Sequence, residues 1–420
     1  MIRVSTSMIF NAGVNAINTQ TATLLHLQQQ VASGRRILTP ADDPVGAARA
    51  LEVTQAKDVS AQYSINHDNA KSALGLAEAQ LGGVNNIMAR LKELTVQAGN
   101  GALSASDRRG IAVELRARFD ELLGIANATD GTGQFIFAGY MGATPPFAGT
   151  VAGGVTYSGD DGQRRLQVSP TRFLEISDSG NDVFNRIKNG NGTFATTYGT
   201  NDVTPGPNLG TGIIDGGAVT NPAAWVAPAS GSYTLRFSVT AGVTSYMIYD
   251  GATALTGATP FTSGQPIKLE KTTAPPADYA AHVVVTGAPS AGDSFVVSPS
   301  SSQSVFTSLA NLITALETGT ATAADQARYS INIGSALTNL DQANDNILRV
   351  RAAIGSRLTE VDSLSDVNQD LQLQYQQTLS NLQDLDYAKA ISDLTRKQTD
   401  LEAAQKSFMR VSGLSLFNYL

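Results

Sequence analysis

Apolar residues recur at helical spacing in the first and last thirds of the chain and alternate with polar residues in the middle third. Near the N-terminus a narrow apolar stripe with a seven-residue repeat predicts a helix, and its members are Ile17, Leu24 and Val31. Gly34 is suited to end that helix, and Asp43-Pro44 has the order of a cap followed by proline at the first helical position. We therefore expect a loop over Arg35–Pro44 and a second helix from about Val45 to Ala98.

The chain after the second helix predicts a third helix and then a strand. Ser104 and Asp107 have capping-box spacing, and the helix they begin would carry one apolar face made of Ile111, Leu115, Phe119 and Leu122. Gln134–Ala138 has the composition of a strand that follows the turn at Asp130-Gly131.

Strict alternation in the middle third predicts a β-hairpin. Tyr233–Val239 alternates, Ala241-Gly242 forms a turn, and Tyr246 and Ile248 continue the alternation. Ala281–Val285 and Ser294–Ser298 predict further strands. Residues 141–302 contain 22 of the 39 Gly and 13 of the 15 Pro, and both residue types oppose helix interiors.

The last third returns to helical spacing. Val305, Leu309, Leu312 and Leu316 predict a short helix. Apolar residues then recur at three- and four-residue steps from Ile333 to Phe408, and Ser356–Ser412 contains neither Gly nor Pro. This pattern predicts a very long amphipathic helix with a break near Gln369–Gln377.

The predicted fold class is mainly α with a β-rich insert. A narrow apolar stripe is unstable alone in water and must be covered by another helix, and the other end of the chain is the available cover. We therefore expect a long antiparallel helical rod with coiled-coil-like terminal helices and an outward β domain. Residues 1–34 and 375–420 would form the terminal helices of an inner core, 35–172 and 303–374 the rod with a small β-hairpin, and 173–302 a variable β-rich outer domain.

Composition excludes several classes of function. The chain has no Cys, so disulfides and cysteine chemistry are excluded, and its three His are far apart without a zinc-protease spacing. A net charge of −7 without a basic stripe argues against nucleic acid as a partner. No apolar run approaches the ~20 residues that a membrane span needs, so no membrane insertion is expected. The first residues lack an apolar signal-peptide region, and export by a cleaved signal peptide is not expected.

Motifs that resemble chemical sites are better explained as structure. Gly190-x-Gly192 has the spacing of a dinucleotide motif, but its Asn-Gly pairs favour turns. Asp42-Asp43 favours helix capping over a catalytic carboxylate pair. Trp225 favours the core of a β domain over sugar binding. The sequence therefore predicts no catalytic residue, no cofactor and no metal site.

Several segments resemble a known family, the flagellin-like axial proteins of bacterial flagella. The N-terminal similarity rests on Arg3–Met8, Ser33–Arg36 and Pro40–Pro44. Segments that are similar to the hook–filament junction members of that family are Ala98–Ser104 with Asp107-Arg108, Asp130–Tyr140, Val350–Leu358, and Ser407-Phe408 through Gly413–Phe417.

The resemblance implies a structural role in the flagellum. Members of this family form an inner tube from their terminal helices and leave the cell through the flagellar type III export apparatus, helped by an export chaperone. A junction member forms a ring of its own subunits between hook-associated protein 1 and the flagellin filament, transmits torque and nucleates filament assembly. The location implied is extracellular, in the flagellum. The alternatives are a flagellin or, from another class, a secreted adhesin or enzyme that acts through residues 141–302.

The resemblance and the apolar stripes together define two sets of candidate residues. The expected inner-core packing residues are Ile17, Leu24, Val31, Leu394, Leu401, Phe408 and Val411. The expected inter-subunit residues lie in the loop that joins the inner and outer layers, and they are Arg35, Arg36, Asp42 and Asp43.

Overall fold

The structure is a computed structural model that describes residues 6–413. The ends of the predicted terminal helices, and with them parts of the first and last motifs of the family resemblance, lie outside the described residues. The chain divides into two compact units. One unit comprises the chain up to His67 and from Asp362 onward, and the other is Asp68–Val361.

Helices form both ends of the described range, and the predicted class, mainly α with a β-rich insert, is confirmed. The helices of the described residues are α1 (Thr6–Ser33), α2 (Pro44–Ala98), α3 (Ala105–Ala126), α4 (Val305–Glu317), α5 (Ala323–Gln383) and α6 (Tyr387–Gly413). The predicted caps form. The Asp43 carboxylate accepts the Gly46 N–H at 2.8 Å at the start of α2, and Ser104 and Asp107 make both bonds of a capping box.

The break in the last long helix lies at Asp384–Asp386, so the predicted break near Gln369–Gln377 is wrong. Glutamine is a good helix former, and the predicted segment continues α5 without interruption. The Asp386 carboxylate instead begins α6, because it accepts the Lys389 N–H at 3.1 Å. Main-chain hydrogen bonds from the break to Gly34 and Arg36 also stabilise it, and no local sequence pattern predicts these bonds.

Gln134–Ala138 is not a strand, so the strand predicted there from the sequence is wrong. The Asp130 carboxylate accepts hydrogen bonds from the N–H and the hydroxyl of Thr132 at 2.8 and 2.7 Å, and this closes a tight turn. Only Phe135 makes a β-bridge, to Thr129. The apolar residues that suggested a strand are buried as a folded loop instead.

Within the first unit, a buried polar contact joins α2 to α5. The Ser60 hydroxyl donates to Asn368 Oδ1 at 2.7 Å, and Asn368 Nδ2 donates to the Ser60 carbonyl at 2.9 Å. Both residues are buried. A buried amide that is satisfied in one alignment of two helices fixes their register.

Within the second unit, α3 packs on α4 around an apolar core. The predicted face of α3 is buried as expected. Phe119 meets Phe306 edge-on, with ring centroids 5.6 Å apart. Phe306 also packs against Phe147 and Phe184, so aromatic rings from four segments share one core.

The β-rich insert consists of antiparallel sheets. Its strands are β1 (Phe147–Thr150), β2 (Gly154–Tyr157), β3 (Arg165–Ser169), β4 (Arg172–Glu175), β5 (Ile187–Lys188), β6 (Phe194–Tyr198), β7 (Thr200–Asn201), β8 (Gly206–Pro207), β9 (Ile213–Ile214), β10 (Ala218–Val219), β11 (Tyr233–Thr240), β12 (Val243–Asp250), β13 (Thr253–Ala254), β14 (Thr259–Pro260), β15 (Pro266–Lys271), β16 (Ala277–Thr286), β17 (Ser294–Pro299) and β18 (Ser302–Gln303). The hairpin β3–β4 crosses position 172, where the sequence placed a domain boundary. The predicted boundaries themselves stay predictions.

Two sheets enclose the core of the β domain. One has the order β13-β12-β11-β17-β6, and the other has β10-β16-β15. The predicted hairpin is confirmed as β11 and β12, and the two further strands are confirmed within β16 and β17. Trp225 packs on this core, stacked on Phe194 with centroids 5.2 Å apart. The structural interpretation of Trp225 is therefore confirmed.

The turn of the β11–β12 hairpin predicts a stabilising substitution. Ala241 (φ 50°) and Gly242 (φ 81°) both have positive φ, the geometry of a type I′ turn that favours Asn-Gly. We expect Ala241→Asn to raise the free energy of unfolding of the β domain by about 1 kcal/mol, since asparagine tolerates the left-handed region. Urea unfolding followed by the emission of the single Trp225 measures this, with Ala252→Asn as the control at an exposed turn residue without positive φ. Equal shifts for both variants would contradict the argument.

Candidate assembly surface

Helices α1 and α6 pack against each other in the first unit through a seam with a repeat of 3.5 residues. Partly or fully buried residues follow this repeat on both helices. On α1 they are Gly13, Ile17, Gln20, Leu24, Leu27 and Val31, and on α6 they are Ala390, Leu394, Lys397, Leu401, Ala404 and Phe408. Six of the seven predicted packing residues therefore lie in this seam, whereas Val411 is 50% exposed.

The seam is tightest where α6 approaches Gly13. A Cβ atom at position 13 would lie 2.5 Å from Cδ2 of Phe408, so glycine makes room for the ring. The same ring packs against Phe10, with centroids 5.2 Å apart. Close aromatic packing of this kind fixes the relative position of the two helices.

Both helices also expose large apolar side chains. The residues that are about half exposed or more are Met8, Ile9, Phe10 and Leu25 on α1 and Tyr387, Ile391, Met409 and Val411 on α6. Large apolar side chains that are exposed in this way gain stability when another surface covers them. The helix pair therefore has an apolar seam inside and further apolar positions outside.

The loop after α1 is held by one carboxylate. Asp42 accepts the Leu38 and Thr39 N–H groups at 2.9 and 2.8 Å and contacts His26 Nε2 at 3.0 Å. The hydrogen bond from the Thr39 N–H lowers the pKa of Asp42 below its usual value, and the bonds from Leu38 and the His26 ring add to this effect. Desolvation of the carboxylate opposes them but is the smaller effect. Asp42 is therefore engaged within its own chain.

Arg36 and Asp43 are also engaged within the chain. Arg36 Nη2 donates to the Leu382 carbonyl at 2.7 Å, and Arg36 Nη1 lies 3.4 Å from the Asp43 carboxylate. The Arg35 side chain is exposed and makes no hydrogen bond or ion pair among residues 6–413. The structure thus gives three of the four predicted inter-subunit residues an intrachain role, and a role between subunits stays a prediction.

Sequence reasoning missed the main-chain contact at this loop. Leu385 N–H donates to the Gly34 carbonyl at 2.9 Å, and Arg36 N–H donates to the Gln383 carbonyl at 2.7 Å. Gly34 was recognised as a helix-ending residue, but its partner lies more than 300 positions away in the sequence.

A cleft of about 550 Å³ in the second unit is the main alternative site. It lies between α4, α5 and β6 and is lined mostly by Asn, Ser and Thr. Its Asp325 and Arg328 pair with each other, so neither is an unpaired acid or base. Within residues 6–413 there is no cluster of three or more potential metal ligands. In the same part of the chain, no helix combines the length and hydropathy of a membrane span.

Comparison with known proteins shows which family has this architecture. Residues 4–141 match the bacterial flagellin N-terminal helical region. The flagellar hook-associated protein 3 of Salmonella typhimurium is 25% identical over 417 residues, 99% of both chains. The crystal structure of flagellar hook-associated protein 3 from Legionella pneumophila is 31% identical with a TM-score of 0.70, and the match covers 79% of this chain and 98% of that chain. The chain belongs to the flagellar hook-associated protein 3 family.

A filament protein is similar to part of the chain. The flagellar filament 41 kDa core protein of Borreliella burgdorferi is 33% identical over 117 residues, which are 28% of this chain and 33% of that protein. Membership of the hook-associated protein 3 family makes this a structural component of the bacterial flagellum.

The contacts of Gly34 lead to a prediction about how α1 connects to the rest of the chain. Gly34 ends α1 at φ 71°, and a Cβ there would lie 2.8 Å from the Tyr387 hydroxyl. We expect Gly34→Ala to lower the free energy of unfolding by about 1–2 kcal/mol, because alanine is strained in the left-handed region. Hydrogen exchange should then rise at Arg36 and Leu385. Gly101→Ala is the control, because its Cβ meets open space. Unchanged exchange in Gly34→Ala would refute the prediction.

Proposed function

We propose that the chain is the junction protein between hook and filament. Subunits form a ring that contacts hook-associated protein 1 on one side and flagellin on the other. The ring transmits torque and nucleates growth of the filament. The role is mechanical, and the proposal includes no catalysis.

The observation that carries the proposal is the apolar surface left open by the α1–α6 pair. Its seam contains polar Gln20, whose side-chain oxygen is shielded from solvent and has no hydrogen-bond partner among the described residues. Such a pair gains little stability alone, since a two-helix contact buries little area. The half-exposed apolar side chains outside the seam, such as Leu25 and Ile391, supply the area that a second copy would cover. These features support self-association of the chain through α1 and α6.

The extent of similarity favours a junction protein over a filament subunit. The hook-associated relative matches along its whole length, whereas the filament protein matches only a third of its own length. We also propose that the chain leaves the cell through the flagellar export apparatus, without a cleaved signal peptide, and that an export chaperone shields its C-terminal helix until then. Both proposals follow from the family resemblance.

Deletion of the gene tests the proposed function. We expect cells with bare hooks that release flagellin into the medium, because filament subunits are exported but find no junction on which to assemble. Electron microscopy of the cells and immunoblotting of the medium for flagellin measure the two effects. Bare hooks with the major secreted subunit itself absent would identify the chain as the flagellin. Intact filaments in a strain without a second copy would refute both axial roles.

A further inference from the structure

The chain contains three Asn-Gly pairs, and the structure places them in different environments. They are Asn100-Gly101, Asn189-Gly190 and Asn191-Gly192. An Asn-Gly pair can rearrange without an enzyme, because glycine offers no side chain to hinder attack by its own nitrogen on the asparagine side chain. The reaction needs an exposed pair, a free glycine N–H and a polarised side-chain carbonyl.

Asn100-Gly101 meets these requirements. The pair lies in the turn between α2 and α3, and both residues are exposed. The Gly101 N–H makes no hydrogen bond within the part of the chain that the structure describes. Asn100 Oδ1 accepts the Ala102 N–H at 3.0 Å. This donor polarises the side-chain carbonyl and would stabilise negative charge that develops on its oxygen during attack.

Asn191-Gly192 is the first comparison within the same chain, and this pair is only partly exposed. Its side-chain oxygen also accepts the N–H two residues on, from Thr193, at 3.0 Å. However, the Gly192 N–H donates to the Asn189 carbonyl at 3.3 Å. Asn191 Nδ2 donates to the Gly216 carbonyl at 3.2 Å, which restrains the amide that must leave.

Asn189-Gly190 is protected as well. Gly190 is buried, and its N–H donates to Asn339 Oδ1 at 2.8 Å on α5. Asn189 Oδ1 accepts the Ser301 N–H at 2.9 Å. Attack at either pair in residues 189–192 therefore requires local opening that first breaks these hydrogen bonds.

We propose that Asn100 is a site of spontaneous deamidation in the folded protein. The Gly101 nitrogen loses its proton and attacks Cγ of Asn100, so a new C–N bond forms. The Cγ–Nδ2 bond breaks, and the amide leaves as ammonia with that proton. Water then opens the resulting succinimide ring. Opening at Cγ gives an aspartate at position 100, and opening at the main-chain carbonyl carbon gives an isoaspartate.

Either product changes the turn between α2 and α3. A carboxylate there adds negative charge just beyond the C-terminal end of α2, where the helix dipole is already negative. In the isoaspartate the main-chain carbonyl that accepts the Leu103 N–H at 3.1 Å becomes the free carboxylate, and the chain gains a methylene before the Ser104 cap. The modification therefore marks the age of a molecule and loosens the start of α3.

The test compares the three sites within one sample. The full-length protein is kept in mildly alkaline buffer, digested with trypsin, and analysed by mass spectrometry for the replacement of each amide by a carboxyl group. We expect Asn100 to react about tenfold faster than Asn189 or Asn191, since those sites must first break hydrogen bonds. A rate at Asn100 equal to or below the other two would overturn the proposal.

Two further measurements separate the fold from the sequence. In denaturant the three sites should react at similar rates, so a persistent preference for Asn100 would show that the fold is not its cause. Gly101→Ala should slow the reaction at Asn100, because a Cβ obstructs attack. This variant should fold normally, since nothing lies within 4 Å of that Cβ. An unchanged rate in Gly101→Ala would exclude attack by the nitrogen at position 101.

Discussion

Leu401→Asp is expected to abolish filament assembly while most of the chain stays folded. Leu401 lies in the seam between α1 and α6, where its side chain is partly buried. Replacing it with aspartate removes about 2 kcal/mol of apolar burial and places an unpaired charge between two helices. The helix pair that the proposed ring requires would then separate. Cells that carry this variant in place of the native gene should show bare hooks under the electron microscope.

The control for this experiment lies on the same helix. Ala403→Asp introduces the same charge at an exposed position two residues away and should support filaments. Trp225 packs on the β-domain core in the other compact unit, so its emission should be the same in both variants. Filament growth with Leu401→Asp at native protein levels would show that the α1–α6 seam is not needed for assembly.

Local signals along the chain were sufficient to predict most of the helices and their caps. Asp43 and the Ser104–Asp107 pair cap helices because the required groups are three residues apart. The alternation in β11 likewise reflects burial on one face of the sheet. These predictions succeeded because sequence neighbours make the contacts that decide them.

The errors have the opposite cause. The break at Asp384–Asp386 is completed by main-chain bonds to the turn at Gly34, which is remote in the sequence. At Gln134–Ala138 the Asp130 side chain competes with strand pairing for the backbone N–H groups. Neither the long-range main-chain bonds nor the competing Asp130 side chain can be predicted from the composition of these segments.

The candidate surface was predictable in its apolar part and less so in its polar part. The heptad spacing of Ile17, Leu24 and Val31 identified one side of the seam. The roles of Arg36, Asp42 and Asp43 depend on partners such as Leu382 and His26 that spacing does not reveal. The sequence does not show whether a charged loop residue bonds within its own chain or to another subunit.

Arg357→Met is expected to destabilise the second unit by about 3 kcal/mol. Arg357 on α5 pairs with Asp178 through two bonds of 2.9 and 3.0 Å, and the two side chains are only 17% and 12% exposed. Methionine keeps the apolar stem but leaves the Asp178 carboxylate partly buried without its cation. Desolvation of that carboxylate is the origin of the cost. Urea unfolding followed by circular dichroism measures the change.

Two comparisons make this result interpretable. Arg165→Met removes an ion pair to Glu175 at 2.9 Å, but Arg165 is 62% exposed, so the loss should stay below about 1 kcal/mol. Adding Asp178→Leu to Arg357→Met removes the stranded charge and should restore part of the stability, since an apolar pair can replace a buried ion pair. If the double variant is less stable than Arg357→Met alone, the cost comes from lost packing rather than from an uncompensated charge. Recovery would instead show that the cost of Arg357→Met comes from the Asp178 carboxylate that is left without its cation, because removing that charge removes the cost.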